Sequence, residues 1–357
     1  MKNMATYYQA QIMATYPRRR IVSGFVVLFL LLIIFFALDI FSGSIGISPA
    51  ETLNILMGDV DSPFSVIIMK FRIPKALTAI LAGIALSVSG LQMQTLFRNP
   101  MAGPDVLGIS SGASLGVAFV ILGFSSLIPS SNVSGLGNWL LIGSACTGAA
   151  IVMIIIMLLA IRVRDILTVL ILGIMIAGGI SAVVIILQYF TSETMLRAYV
   201  IWTMGSLGNL TPDQLKILGI TISFGIILSL LTIKMLNVLL LGESYATSIG
   251  VNIRLARGLV FLSTSILAGS ITAFCGPIGF VGIAVPHIAR MLFRTSDHRI
   301  LLPATIFAGA ILMLLSDIIS QLPGSDKVLP VNSVTSLLGI PIVIWVIVKG
   351  RVIKSTV

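Results

Sequence analysis

Charge is scarce in this sequence. Only 10% of its 357 residues are Asp, Glu, Lys or Arg, against about 25% in a soluble domain. A chain with so little polar surface cannot face water on all sides, so a soluble globular enzyme is excluded. Cysteine and histidine are rarer still, with two of each. Cys146 and Cys275 fall in apolar runs far apart in sequence. That excludes a disulfide framework and leads to the expectation of two free, buried thiols. His287 and His298 have no cluster of other ligands near them, so metal-site spacing is absent. The chain contains no Gly-Lys dipeptide and hence no Walker A loop to cradle nucleotide phosphates. Paired carboxylates and nucleophile elbows are missing too, and no catalytic residue, metal or cofactor is assigned.

What the sequence has in abundance is apolar length. Hydrophobic residues make up 57% of it, and the mean hydropathy is +1.12. Apolar runs of ~20 residues recur from end to end, the length that carries a helix across a bilayer. The expected fold is all-α, a polytopic integral membrane protein with ten transmembrane helices and both termini cytoplasmic. A polar N-terminal tail, residues 1–20, ends in Arg18-Arg19-Arg20, and a short tail, 351–357, closes the chain. Between them, residues 21–350 form the transmembrane region. The spans are expected at Ile21–Leu38, Ile73–Leu96, Val106–Phe124, Trp139–Ile161, Ile166–Phe190, Leu215–Ile233, Gly258–Phe274, Ile278–Phe293, Leu301–Gln321 and Ser333–Val348. Glu193–Leu207 is read as a helix at the outer face. This layout puts 16 of the 22 Lys and Arg residues inside and 6 outside, as the positive-inside rule requires. The net charge of +10 is therefore spread over loops as a topology signal, and nucleic acid is not a partner. Spans two to five and seven to ten form two four-span sets of opposite orientation, the arrangement of an inverted repeat.

Three features stand out from this background. The stretch 236–257 lies between two spans on the inner side and holds a helix of about two turns, Glu243–Ile249, bracketed by Gly242 and Gly250. It reads either as an ordinary loop with one turn of helix or as a knob for a groove on another protein. Lys70, Arg72 and Lys75 gather at the outer mouth of span two, on the side that should avoid cations, and Lys327 joins them. Such a rim can steer an acidic partner or anionic solute; snorkelling to lipid headgroups gives the same pattern. Asp317 lies within span nine. An intramembrane carboxylate can relay protons or bind a cation, or simply bond a neighbouring helix. Around these, Asn99-Pro100 and Gly276-Pro277 force sharp turns, and Pro286-His287 interrupts span eight.

The residues Arg72-Ile-Pro-Lys75, Gly83 to Gly90, Gln94, Arg98-Asn99-Pro100, Leu107-Gly108 and Ser111-Gly112-Ala113 resemble the signature of FecCD-type permeases. So do Gly279-Phe280-Val281-Gly282, Pro286-His287, Arg290, Asp297-His298-Arg299, Leu302-Pro303, Gly309-Ala310, Asp317, Pro330-Val331 and Leu338-Gly339-Ile340-Pro341. The resemblance runs from about Arg72 to Lys349. It implies the membrane subunit of an ATP-driven importer for ferric siderophores, haem or cobalamin, in the plasma (inner) membrane, surrounded by lipid. It implies a second permease copy in a homodimer or pseudo-symmetric pair. It implies two cytoplasmic ATP-binding subunits docking at Gly242, Glu243, Ser244, Ala246 and Gly250. A periplasmic or lipid-anchored substrate-binding protein would dock at Arg72, Lys75 and Lys327. Lys75 stands where arginine is commoner, and lysine cannot form the bidentate fork. A gate of small hydroxyl residues in the cobalamin member corresponds here to Asp165-Ile166-Leu167-Thr168. The rival reading from the residues alone is a proton-coupled secondary transporter that uses Asp317.

Overall fold

The computed structural model describes residues 18–43, 45–58, 62–123, 133–163, 165–321 and 328–354. Among them all regular secondary structure is helical. The helices are α1 (Arg18–Phe41), α2 (Pro49–Leu56), α3 (Ser65–Leu96), α4 (Ile109–Ala118), α5 (Val133–Arg162), α6 (Ile166–Phe190) and α7 (Glu193–Thr203). Then follow α8 (Pro212–Leu239), α9 (Glu243–Ser248), α10 (Ile253–Cys275), α11 (Val281–Phe293), α12 (His298–Ser320) and α13 (Val331–Lys354). Seven described helices are long and apolar enough to cross a membrane: α1, α3, α5, α6, α8, α10 and α12. The other three expected spans correspond to shorter apolar helices, Ile109–Gly123, Val281–Phe293 and Val331–Val346.

Two spans are shorter than the apolar runs predict, for a backbone reason. A 3-10 turn, Pro104–Leu107, and a left-handed Gly108 delay α4 until Ile109. Gly276 and Phe280, both at positive φ, delay α11 until Val281. The 13 residues of α11 reach about 20 Å at 1.5 Å per residue, short of the ~30 Å hydrocarbon thickness. The second member of each four-helix set, α3–α6 and α10–α13, is thus the short one. Elsewhere the boundaries follow capping chemistry. Asn252 accepts from the Leu255 N–H at 3.1 Å and starts α10 five residues before the expected Gly258. Thr211 and Gln214 form a reciprocal capping box at the start of α8. Helix α2, capped by Ser48 with Pro49 at its first turn, occupies what reads as plain loop.

α3 is the axis of the bundle: 78% of its most apolar window is buried, against 17% for α6 and 6% for α1. It packs on α12, α10, α11 and α8. Contact is made through small residues. A Cβ on Gly83 would collide with the carbonyl of Gly309 on α12, and one on Gly90 with the carbonyl of Gly282 on α11. Lipid supplies no hydrophobic drive between helices, so this close backbone approach is what brings dispersion contacts within range. Side-chain polar bonds join the same helices. Gln92 of α3 donates to Thr232 of α8 at 3.3 Å and accepts from Thr264 of α10 at 3.2 Å. Phe25 on α1 meets Phe293 on α11 with ring centroids 4.8 Å apart.

One expectation about the cysteines is corrected. Cys275 is buried, but Cys146 is exposed on α5. Membership of an apolar run says nothing about which side of the helix meets a neighbour.

Replacing Gly90 with alanine is expected to destabilise the chain by about 1–3 kcal/mol, the penalty for overpacking a filled contact. Gly178 has open space around its Cβ position, so Gly178→Ala should not lower stability. Thermal unfolding of both variants in the same detergent checks the pair, and equal melting temperatures would refute the role given to the α3 contact.

Candidate functional site

Two polar centres lie at opposite ends of the bundle. The first includes three of the residues singled out above. Arg72 is buried at the end of a π-helical turn, Ile68–Arg72, within the first part of α3. Its guanidinium donates to the carbonyls of Ile40 at 2.9 Å, Phe41 at 3.3 Å and Ile45. The first two are carbonyls left open by the end of α1, where a cation is favoured, and the third belongs to the loop that follows. Lys75, one turn on, places its Nζ 3.0 Å from Oδ1 of the fully buried Asp317 on α12. Gln321 donates to Asp317 Oδ2 at 3.0 Å and to Asp39 Oδ1 of α1 at 3.1 Å. Ser320 adds a bond to Asp317 Oδ1 at 3.3 Å.

Two residues of the expected basic rim have partners within the chain. Arg72 is committed to carbonyl oxygens and Lys75 to a buried carboxylate, so these cations pin α1, α3 and α12 together. Lys70 is exposed at this end. Lys327 lies outside the described residues. Asp317 has the bonded-helix environment, held by Lys75, Gln321 and Ser320. Asp39 and Gln321, unnoticed in the sequence, complete the cluster. Nothing in their spacing points to it, because the three helices that supply it are far apart in the chain.

The second centre surrounds α9. Gly242 has φ +109°, a backbone conformation that L side chains rarely adopt, and it turns the chain from α8 into α9. Ala246 is fully buried and anchors the short helix. Ser244, Tyr245, Thr247, Ser248, Ile249 and Gly250 are exposed. Glu243 is held by Arg257 of α10, whose Nη2 lies 2.8 Å from both carboxylate oxygens and whose Nε lies 3.2 Å from Oε1. Arg257 Nη1 also donates to the Val163 carbonyl, 3.3 Å away, beyond the end of α5. One buried guanidinium thus ties α9 to α10 and to the turn between α5 and α6. Charge-assisted, two-pronged contacts of this kind are both strong and directional. Sequence alone does not pair Arg257 with Glu243, because their 14-residue separation matches no helical repeat.

The neighbouring turns are equally well bonded. Arg98, at φ +49°, brings its guanidinium beside Gly242. His287 donates from Nε2 to the Pro100 carbonyl at 2.8 Å, so it is a packed histidine of the 99–104 turn. Asn237 of α8 donates to Asp297 at 2.6 Å and accepts from His298 at 2.7 Å. In the stretch 165–168, Asp165 accepts from the Thr168 hydroxyl at 2.8 Å and from the Thr168 and Leu167 N–H groups. The Thr168 hydroxyl, then the two backbone donors, hold the Asp165 carboxyl below the usual carboxylate range. These residues cap α6, and their hydroxyl and carboxylate are already bonded to each other.

Comparison with known proteins places this architecture. The sequence model of the FecCD transport family matches residues 31–349. The hemin transport system permease protein HmuU of Yersinia pestis is 38% identical over 287 residues, covering 80% of this chain and 84% of the relative. The vitamin B12 import system permease protein BtuC of Citrobacter koseri is 33% identical over 354 residues, covering 98% and 100%. Among solved structures, a putative metal-chelate type ABC transporter in an inward-facing conformation matches with a TM-score of 0.76 and 29% identity. That match covers 92% of this chain and 99% of the other.

Removing Asp317 as Asp317→Ala takes away the carboxylate paired with Lys75 and should destabilise the chain by about 3 kcal/mol, the lower end for breaking a buried pair. Adding Lys75→Met should recover most of the loss. A double-mutant cycle in thermal unfolding measures this, and additive losses would show that the pair is not coupled.

Proposed function

The chain belongs to the FecCD transport family, and on that premise we propose that it is the permease subunit of an ATP-driven importer carrying a metal chelate or cobalamin into the cell. The observation that carries the reading is α9. A six-residue helix with a buried anchor and an exposed outer side makes a poor structural element and a good docking knob. Tyr245 and Ile249 are 44% and 52% exposed, apolar surface that a partner groove would cover. Two cytoplasmic ATP-binding subunits supply the hydrolysis, and a second copy of the chain completes the pathway.

The mechanism follows from the bonds around α9. ATP binding in the partners moves α9. Because Arg257 links Glu243 to α10 and to the Val163 carbonyl, a displacement of α9 pulls on the α5–α6 turn. Asp165 makes that turn a rigid cap of α6, so the pull becomes a tilt of α6 and not a frayed end. α6 is among the least buried of the long described helices, and among the described residues its exposed face leaves room for such a tilt. At the opposite end a substrate-binding protein docks beside the first centre. Lys70 provides exposed charge there, while Arg72 and Lys75 hold the receiving surface in shape through α1 and α12.

This reading has a rival in proton-coupled transport through Asp317. The Lys75 and Gln321 bonds to that carboxylate favour a fixed structural charge. The discriminating experiment is native mass spectrometry of the tagged chain, purified in mild detergent from its own cells. Two copies of the chain with two copies of an ATPase are expected; a lone chain or bare dimer, persisting after crosslinking, would overturn the importer reading.

A finer test concerns the linkage. Arg257→Ala should lower transport-coupled ATP hydrolysis about tenfold or more, as expected when an element that positions the machinery is loosened, while the ATPase still copurifies. Unchanged coupling in that variant would remove Arg257 from the mechanism.

A further inference from the structure

A half-open cavity of about 490 Å³ lies between α4, α6, α7 and α13, closed on one side by the loop Pro277–Phe280. Its chemistry is one-sided. Ser110, Ser114, Ser181, Ser336 and Tyr199 give it hydroxyl groups, and Asp105 gives it one carboxylate. No described lining residue is Lys, Arg or His. The closing loop is held by the Gly279 N–H, which donates to Asn332 Oδ1 at 3.0 Å. The Asp105 carboxylate is exposed to the cavity and accepts from the Ser110 hydroxyl. Ser110 in turn lies 3.3 Å from the Thr272 hydroxyl of α10. Among the described residues no cation pairs with Asp105; the three ion pairs are Lys75–Asp317, Lys216–Asp213 and Arg257–Glu243.

In its ionised form the Asp105 carboxylate sets a negative potential across this cavity with low-dielectric walls. Ser110, Ser181 and Ser336 already donate to Asp105 and to the Ala177 and Asn332 carbonyls, so the wall presents acceptor oxygens to a solute that donates hydrogen bonds, and nothing there balances a negative one. We infer that this cavity is the cargo-selecting surface of the pathway, that Asp105 is its specificity-determining residue, and that the cargo is a neutral or cationic hydrogen-bonding chelate. Hydroxamate-type ferric complexes have that chemistry; tricatecholate complexes, which are polyanions, do not. The inference rests on the importer reading and adds the charge class of what is moved. It also distinguishes this chain's cargo from a dianionic porphyrin, whose carboxylates would face Asp105 across the same space.

The test uses the intact importer in its own cells, with radioactive iron loaded into a monocationic ferric trihydroxamate, a neutral ferric trihydroxamate and a trianionic ferric tricatecholate. The binding protein is the same in every strain, so a change in the ratio between cargoes reports the permease. The unaltered chain should take up both hydroxamates and exclude the tricatecholate. Asp105→Asn should lower the cationic-to-neutral uptake ratio at least about threefold, and Ser181→Asp, which adds a second carboxylate to the wall, should raise it by a similar factor. Copurification of the ATPase with each variant certifies that it has folded. A ratio unmoved by both variants overturns the role of Asp105. Tricatecholate uptake as fast as hydroxamate uptake overturns the charge class, as does an importer that hydrolyses ATP but moves neither hydroxamate. A chain that assembles with no ATPase at all fails earlier, at the importer reading itself.

Discussion

Backbone contact between helices is the constraint on which this molecule depends. In lipid the apolar side chains of a helix gain nothing by leaving their surroundings, so association has to come from close packing and from polar bonds. α3 satisfies both demands. Gly83 and Gly90 let α12 and α11 approach to backbone distance, and Gln92 bonds α8 and α10. Every later feature inherits its position from this axis. Arg72 and Lys75 sit where they do because the first turns of α3 lie beside the end of α1. The short α11 begins beside the 99–104 turn, where Gly282 is pressed against α3 at Gly90.

The two charged centres divide their labour by burial. At one end, Asp317 is fully buried and Lys75 largely so, and the bonds of Gln321 and Ser320 complete the carboxylate's shell. Such a centre is costly to break and carries little freedom, which suits a clamp. At the other end Arg257 is buried while the Glu243 side chain is 32% exposed, so the pair reaches the surface. A partner that grips α9 therefore touches a group already bonded to the interior. The same residue types give a fully enclosed joint in one place and a joint that reaches the surface in the other, and the difference is exposure.

Much of this was legible in the sequence. The scarcity of charge, the recurrent apolar length and the inner bias of Lys and Arg led to a helical membrane protein. The two glycines around Glu243–Ile249 marked α9, because a positive φ and a sudden turn leave few other residues to choose. The Arg98-Asn99-Pro100 and Gly276-Pro277 breaks were visible for the same reason. Span lengths were less legible. An apolar run does not reveal that a 3-10 turn at Pro104–Leu107 or a left-handed Phe280 takes up part of it.

Pairings were not legible at all. Lys75 and Asp317 are 242 positions apart, and Glu243 meets Arg257 across a loop whose geometry follows no repeat. In sequence, Arg72 and Lys75 looked like cations on the wrong side of the membrane; only the fold supplied the α1 carbonyls and the α12 carboxylate that account for them. The cavity around Asp105 likewise draws on five separate segments. Local chemistry sets where helices start, stop and turn, because those choices depend on a few adjacent residues. Which faces meet, and so which charges are partnered or left open, depends on packing between distant segments, and the tertiary structure alone decides it.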